Sequence, residues 1–272
     1  MKEGVYLSKT LTTEDVIQNK KKAIKSLNAL LESLINDPSE QHLKKANLIS
    51  YWLKDFSSYI KFEEKFSPER LIRYSRGNVI RANLGFNVGK EMGGLHYAVI
   101  LDNDNKRNAD VVTIIPLSST DGRIVHKRNV DIGTELYEKA YVRQENLITE
   151  AQKELSEYQH TKILFNKLIE AMSSVSGETV QHNIELAKTE IEKLESREKD
   201  LQNSILILNA HSKEILKMKS GSMAVINQIR TISKQRIYTP KKSEDFLYNV
   251  SLSASAMDKI NSKLKELFIF EK

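Results

Sequence analysis

The sequence predicts an α+β protein in which a small antiparallel sheet is flanked and interrupted by helices. Three observations carry that prediction. Amphipathic helical stripes open the chain, the apolar period changes from three or four residues to two after "RYSRG", and two long charge-rich helical stretches of nearly equal length interrupt the strand-like blocks. With 272 residues, 40% of them hydrophobic, the chain is long enough for one large domain or two modest ones.

From Thr13 to about Asp37, the residues Val16, Ile17, Ile24, Leu27, Leu31, Leu34 and Ile35 recur at helical steps, and "TTED" supplies N-cap candidates. "NDPSE" breaks this helix. A second is expected from about Glu40 to Lys65, with Leu48, Ile49, Trp52, Phe56, Tyr59 and Ile60 on one broad face. Its tryptophan reads as a packing anchor between this hairpin and the next domain. "FSPERL" reads as a stop, or as a short helical turn with Pro68 in first place. "NVIRANLGF", "HYAVILDND" and "ADVVTIIPLSS" are β-branched runs bounded by turn residues, and "RIVHKRNVDIG" reads as a fourth strand. Helical stripes from about Thr134 to Ser174 and from about Glu178 to Met218 predict an antiparallel hairpin about 60 Å long at 1.5 Å per residue. Its matched lengths suggest an insertion whose ends return to one place. Strand character resumes at "GSMAVINQIRTI", and "SASAMDKINSKLKELF" predicts a short helix with a serine cap.

Composition excludes several chemistries. The absence of cysteine removes disulfides, thiolate catalysis and cysteine-ligated metal centres, and fits a reducing compartment. There is no Gly-Lys-Ser/Thr phosphate loop and no HExxH, and the six histidines lack ligand spacing, so neither a metal nor a cofactor is expected. The opening "MKEGVYLSKTLTTED" has no secretory core, and no run approaches the ~18 uninterrupted apolar residues of a membrane span. A cytoplasmic protein without membrane association is expected. A formal net charge of +6 favours polyanionic partners, although a solvated lysine-rich surface explains it equally well.

Three blocks, taken in order, resemble the MazF/PemK family of toxin endoribonucleases. "RGNVIRANLGFNVGKEMGGLHYAVILDND" (Arg76 to Asp104) is similar to the family's Arg-Gly-Asp opening, glycine-rich loop, Arg-Pro pair and hydrophobic strand. "VVTIIPLSS" (Val111 to Ser119) resembles the strand that ends in Thr or Ser, and "GSMAVINQIRTISKQRI" (Gly221 to Ile237) resembles the Gln-Ile-Arg-Thr-Ile segment that precedes a C-terminal helix. The resemblance covers about 115 residues by this reading. It implies an SH3-like antiparallel barrel made from residues 73–133 and 219–272, with a helical region at 1–72 and an inserted coiled-coil hairpin at 134–218. It also implies a homodimer that cuts single-stranded mRNA without metal, within a toxin–antitoxin or phage-defence system.

Such cleavage requires a proton acceptor for the ribose 2′-hydroxyl and donors for the charge that develops on the phosphate. By resemblance, His96 stands where the family carries its catalytic arginine, and Tyr97 replaces the neighbouring proline. A histidine titrates near pH 6.5 and trades protons, but it offers less permanent charge than arginine. The exchange is compatible with an altered active site and also with a catalytically silent binding module. Ser118 matches the family's strand-end hydroxyl and joins His96 as a catalytic candidate. Ser119, Gln228, Arg230 and the loop residues Lys90 and Glu91 are expected to touch RNA. Taken alone, each has an ordinary role in a turn or in a hydrogen bond within the sheet. Gly89, Gly93 and Gly94 suit a loop that approaches a phosphate and folds over the sheet as a mobile lid. An antitoxin is the implied protein partner, and the N-terminal helices are candidates for blocking the groove from within the same chain.

Overall fold

The computed structural model describes residues 11–216 and 218–269. The first ten residues, which form most of the segment read as lacking a secretory core, lie outside the described residues. Among the described residues, no helix is long and apolar enough to cross a membrane. The chain divides into two compact units, Met1–Glu64 and Lys65–Lys272.

The first unit is a pair of helices, α1 (Thr13–Ile35) and α2 (Glu40–Phe62). Thr12 caps α1: its hydroxyl accepts from the Asp15 amide at 3.2 Å, and the Asp15 carboxylate accepts from the Thr12 amide at 3.1 Å. This reciprocal pair satisfies two otherwise orphaned donors. The Asp37 carboxylate accepts from the Ser39 amide at 2.8 Å in the break that the sequence marks with Pro38. Along α2, Trp52 packs its ring against Phe56 and Tyr59, with centroids 5.9 and 6.3 Å away. The helix ends in a tighter 3-10 turn at Glu63–Lys65.

The second unit begins with a 3-10 turn at Pro68–Arg70, in which proline takes the first position. Seven strands follow: β1 (Val79–Asn83), β2 (Leu95–Ile100), β3 (Val111–Ser119), β4 (Val130–Gly133), β5 (Ser222–Ala224), β6 (Arg230–Ser233) and β7 (Ile237–Thr239). Every pairing is antiparallel, in the order β4-β5-β3-β2-β1-β7, with β6 also lying along β3.

The closed barrel implied by resemblance is corrected to an open sheet. The nine residues of β3 are divided between two partners, with Val111–Ile114 pairing β6 and Leu117–Ser119 pairing β5. A 3-10 turn at Ile226–Gln228 separates those partners, so the sheet forks at this edge. The run expected as a fourth strand also shortens to Val130–Gly133, since the residues before it turn, with the Asn129 amide donating to the His126 carbonyl at 2.8 Å.

Alternation divides the apolar side chains between two faces. Ile80, Ala82, Ala98, Ile100, Val112, Ile114, Ile232 and Ile237 form one cluster, closed by Tyr74, whose hydroxyl donates to the Pro240 carbonyl at 2.7 Å. Val79, Val99, Ile115 and Leu117 form the other, covered by helices. The covering residues include Leu136 and Ala140 from α3 (Glu135–Met172), Ile215 from α4 (Glu178–Leu216), and Ala256 and Ile260 from α5 (Ala254–Phe268). As expected, α5 has a serine cap, with the Ser253 hydroxyl accepting from the Ala256 amide at 3.2 Å. The Ser253 hydroxyl also donates to Glu135 at 2.9 Å, which ties the start of α5 to the start of α3. Helices α3 and α4 touch at Gln144–Ser212 (2.6 Å), Gln159–Glu198 (3.0 Å) and Lys162–Glu198 (2.9 Å). Rising numbers on one helix meet falling numbers on the other, so the two run antiparallel.

Candidate active site

His96, Ala98 and Ile100 occupy alternate positions of β2 and share the face of the Ile80–Ile114 cluster. Towards the loop end of β2 that face changes from aliphatic to polar. Ala98 pairs with Pro116, so two residues further along the same register His96 lies beside Ser118. Arg230 is on this face as well, two residues before buried Ile232 and paired with Ile114. The backbone of Arg230 is level with Ile114 and Ile100, four residues along β3 from Ser118, and its guanidinium extends from there to the loop at Met92, close enough for its charge to act on His96. His96, Ser118 and Arg230 are all half-buried.

Gln228 and Arg230 fasten the glycine-rich loop over this end. The Gln228 side-chain carbonyl accepts from the Met92 amide at 3.1 Å and from the Arg230 guanidinium at 2.9 Å, and Arg230 also donates to the Met92 carbonyl at 3.1 Å. The Gln228 side-chain amide reaches the Lys90 carbonyl at 3.4 Å. Inside the loop, the Gly94 amide donates to the Gly85 carbonyl at 2.6 Å, and the Asn87 side chain donates to the carbonyls of Leu84 and Met92. Two glycines are required here. A Cβ at position 93 would stand 2.6 Å from the Gly85 carbonyl oxygen, and Gly94 has φ +84°. Lys90 and Glu91 themselves extend into solvent.

The His96 ring lies close to the backbone of Leu117 and Gly93. Its pKa lies below the usual histidine value, chiefly through burial, with further depression from the charges of Arg230 and Arg81; the two backbone neighbours oppose the shift. Burial and the two guanidinium charges thus favour the neutral imidazole, the form that can accept a proton. The Ser118 hydroxyl makes a 3.5 Å contact with the Ser119 carbonyl, too long to hold it firmly.

Ser119, next in the strand, points to the other face. Its hydroxyl donates to Asp121 at 2.6 Å and lies 3.3 Å from that of Ser220. Arg81 was not singled out from the sequence, although a cation inside the apolar run "NVIRANLGF" was a legible signal. Among the described residues, no group of three or more His, Asp or Glu side chains is arranged to hold a metal ion.

Residues 75–172 match the family model described as PemK-like, MazF-like toxin of type II toxin-antitoxin system. That segment is similar to PemK-like toxins. The matched span runs from just before β1 to the end of α3 and includes Lys90, Glu91, His96, Ser118 and Ser119. Gln228 and Arg230 lie beyond it and join the PemK-like segment through β6 and the loop hydrogen bonds. No curated protein matches the chain. Members of that family are generally RNA-cleaving toxins of toxin–antitoxin systems.

Proposed function

We propose that the protein is a toxin-type endoribonuclease that cuts single-stranded RNA by attack of a ribose 2′-hydroxyl on the adjacent phosphorus. In this reading neutral His96 accepts the 2′-hydroxyl proton as the 2′-oxygen–phosphorus bond forms. The bond from phosphorus to the 5′-oxygen breaks, and the leaving oxygen takes a proton from water, giving a 2′,3′-cyclic phosphate and a 5′-hydroxyl. Ser118 donates a hydrogen bond to a phosphate oxygen, and Arg230 balances the developing charge. Arg230 is engaged by Met92 and Gln228, so the loop from Gly85 to Gly94 acts as a lid that lifts to release the guanidinium to substrate. Lys90, Glu91 and Gln228 contact RNA along the lid, and Ser119 does so from the rim.

The observation that carries this reading is His96 lying beside Ser118 on one face of a PemK-like sheet, with the Arg230 guanidinium close enough for its charge to act on the ring. Incubating the purified protein with mixed-sequence RNA in magnesium-free buffer across a pH series tests it. Cleavage that falls about 10²- to 10⁴-fold in His96→Ala, with folding retained, is the expected result. RNA left intact by the wild-type protein at every pH would reject it.

The engaged guanidinium of Arg230 and the histidine at position 96 favour a second reading, a catalytically silent module that binds RNA or protein. If His96→Arg creates cutting where the wild type has none, the wild-type site belongs to that second class. The proposed organisation is a helical region at 1–72, a nuclease module at 73–133 and 219–272, and a coiled-coil insertion at 134–218, acting as a cytoplasmic homodimer. The first helices are further proposed to act as a built-in antitoxin. Removing residues 1–69 then raises cleavage, and an unchanged rate ends that idea.

A further inference from the structure

The sheet face opposite His96 carries a row of side chains that the reaction above does not bring into contact with RNA. Arg81 of β1 pairs with Tyr97 of β2 on one side and Thr239 of β7 on the other, and its guanidinium carbon lies 5.7 Å from the ring centroids of both Tyr97 and Tyr238. The two rings differ in setting. Tyr97 is half-buried against the helix-covered core, whereas Tyr238 is 56% exposed on a strand at the end of the sheet order. The guanidinium thus fixes an open aromatic ring beside a positive charge. Arg236, two residues before Tyr238, adds a second guanidinium whose Nε donates to the Asn83 carbonyl at 2.8 Å.

This row adjoins the candidate active site. The pair Arg81–Tyr97 is followed in register by Ala82–His96, so β1 and β2 present the tyrosine–arginine row on one face and the His96 ring on the other. Every nucleobase has a π face, so an exposed ring beside arginine binds single strands with little sequence preference, and the guanidinium serves the phosphate of the same nucleotide.

We propose that Tyr238 and Arg81 form a nucleobase-stacking platform that holds single-stranded RNA next to, and separate from, the pocket for the scissile phosphate. The ligand class rests on the proposed nuclease reading, and the test keeps the two apart. A fluorescent, fully 2′-O-methylated RNA dodecamer of mixed sequence lacks the attacking hydroxyl, so its binding to the full chain can be followed by anisotropy without cleavage. Tyr238→Ala and Tyr238→Leu are expected to weaken binding about 5- to 100-fold, while Tyr238→Phe, which keeps the ring, binds within about twofold of wild type. Tyr238→Leu keeps bulk without a π face, and circular dichroism verifies that each variant is folded.

Wild-type affinity in Tyr238→Leu, or no binding of the dodecamer by the wild-type protein, overturns the platform whatever the cleavage assay shows. Weakened binding in the alanine and leucine variants, restored by phenylalanine, supports it even if unmodified RNA is never cut. That last outcome rejects the nuclease reading alone.

Discussion

The sheet and the α3–α4 pair use the same apolar residue types to different ends. In the sheet, Val79, Ile80, Ala98, Ile100 and Ile114 are fully buried, each packed among residues distant in sequence. Along α3, the buried residues are Leu136, Ala140 and Gln144, all in its first ten positions, while Ile163, Leu164 and Leu168 further out are each at least half exposed. The facing helix differs, with Ile215 buried at its base, Leu206 and Ile207 open to solvent, and Ile184 and Ala187 buried again towards its other end. An isoleucine or leucine of the pair is therefore buried where it meets the sheet or lies on the seam between the two helices, and exposed elsewhere. In a two-helix pair one seam faces the partner and the remaining circumference faces water.

Substitutions test this contrast directly. Ile114→Ala should cost about 2–5 kcal/mol in urea unfolding, because it leaves a cavity beneath β2, β3 and β6. Leu206→Ala, at a side chain 66% exposed, should stay within about 0.5 kcal/mol. A Leu206 penalty as large as that of Ile114 would break the comparison and mean that this stretch of α4 is covered in solution.

Much of this layout was legible beforehand because it is written in local periodicity. The capped start at Thr12, the break at Pro38, the long helical stripes and the serine-capped final helix all depend on neighbours within a few residues. The fork in the sheet did not announce itself. "GSMAVINQIRTI" has the composition of one strand, and the turn at Ile226–Gln228 that divides it depends on where β3 exchanges partners. At the candidate site, His96, Ser118, Gln228 and Arg230 were identifiable from residue type and resemblance. Their hydrogen bonds were not, so the same arginine expected to meet phosphate is found holding Met92 and Gln228. Ser119 illustrates the finest limit, since one step along a strand reverses the face.

The loop falls between the two regions in expected cost. Gln228→Leu removes the acceptor for the Met92 amide and the Arg230 guanidinium and leaves both to find water. An effect of about 1–3 kcal/mol is expected, concentrated in the loop, and hydrogen exchange at the Met92 amide should accelerate more than exchange in β3. Uniform acceleration through the sheet would mean that the loop is part of the core's cooperative unit.

Acid sharpens the comparison further, because the depressed histidine belongs to the sheet. The folded-state pKa of His96 lies below its ordinary value of 6.5, so as pH falls the unfolded chain takes up the proton first. The stabilising preference for the neutral ring is complete above pH 6.5 and is lost as pH drops through the folded-state value. The acid limb of kcat/KM for RNA cleavage should accordingly fall below pH 6.5, and Arg230→Gln, by removing one repelling charge, should move it upward. An acid limb above 6.5 would mean that burial does not control this ring.

The smallest effect on the sheet is expected from the largest deletion. Leu136, Ala140 and Ile215 of α3 and α4 lie in the core beneath the sheet, and Leu147 and Leu208 pack against it. Beyond them the helices meet through contacts such as Gln159–Glu198 and Lys162–Glu198, which join the helices only to each other. Replacing residues 152–204 by a short glycine-containing turn should therefore change the unfolding free energy of the sheet by less than about 1 kcal/mol, since distant and unshared contacts add independently. The denaturant slope should decrease, because less surface is exposed on unfolding. A large loss of stability would show that the outer helices support the sheet through contacts made between molecules, because within one chain the base at Gln144–Ser212 is retained and already closes the pair.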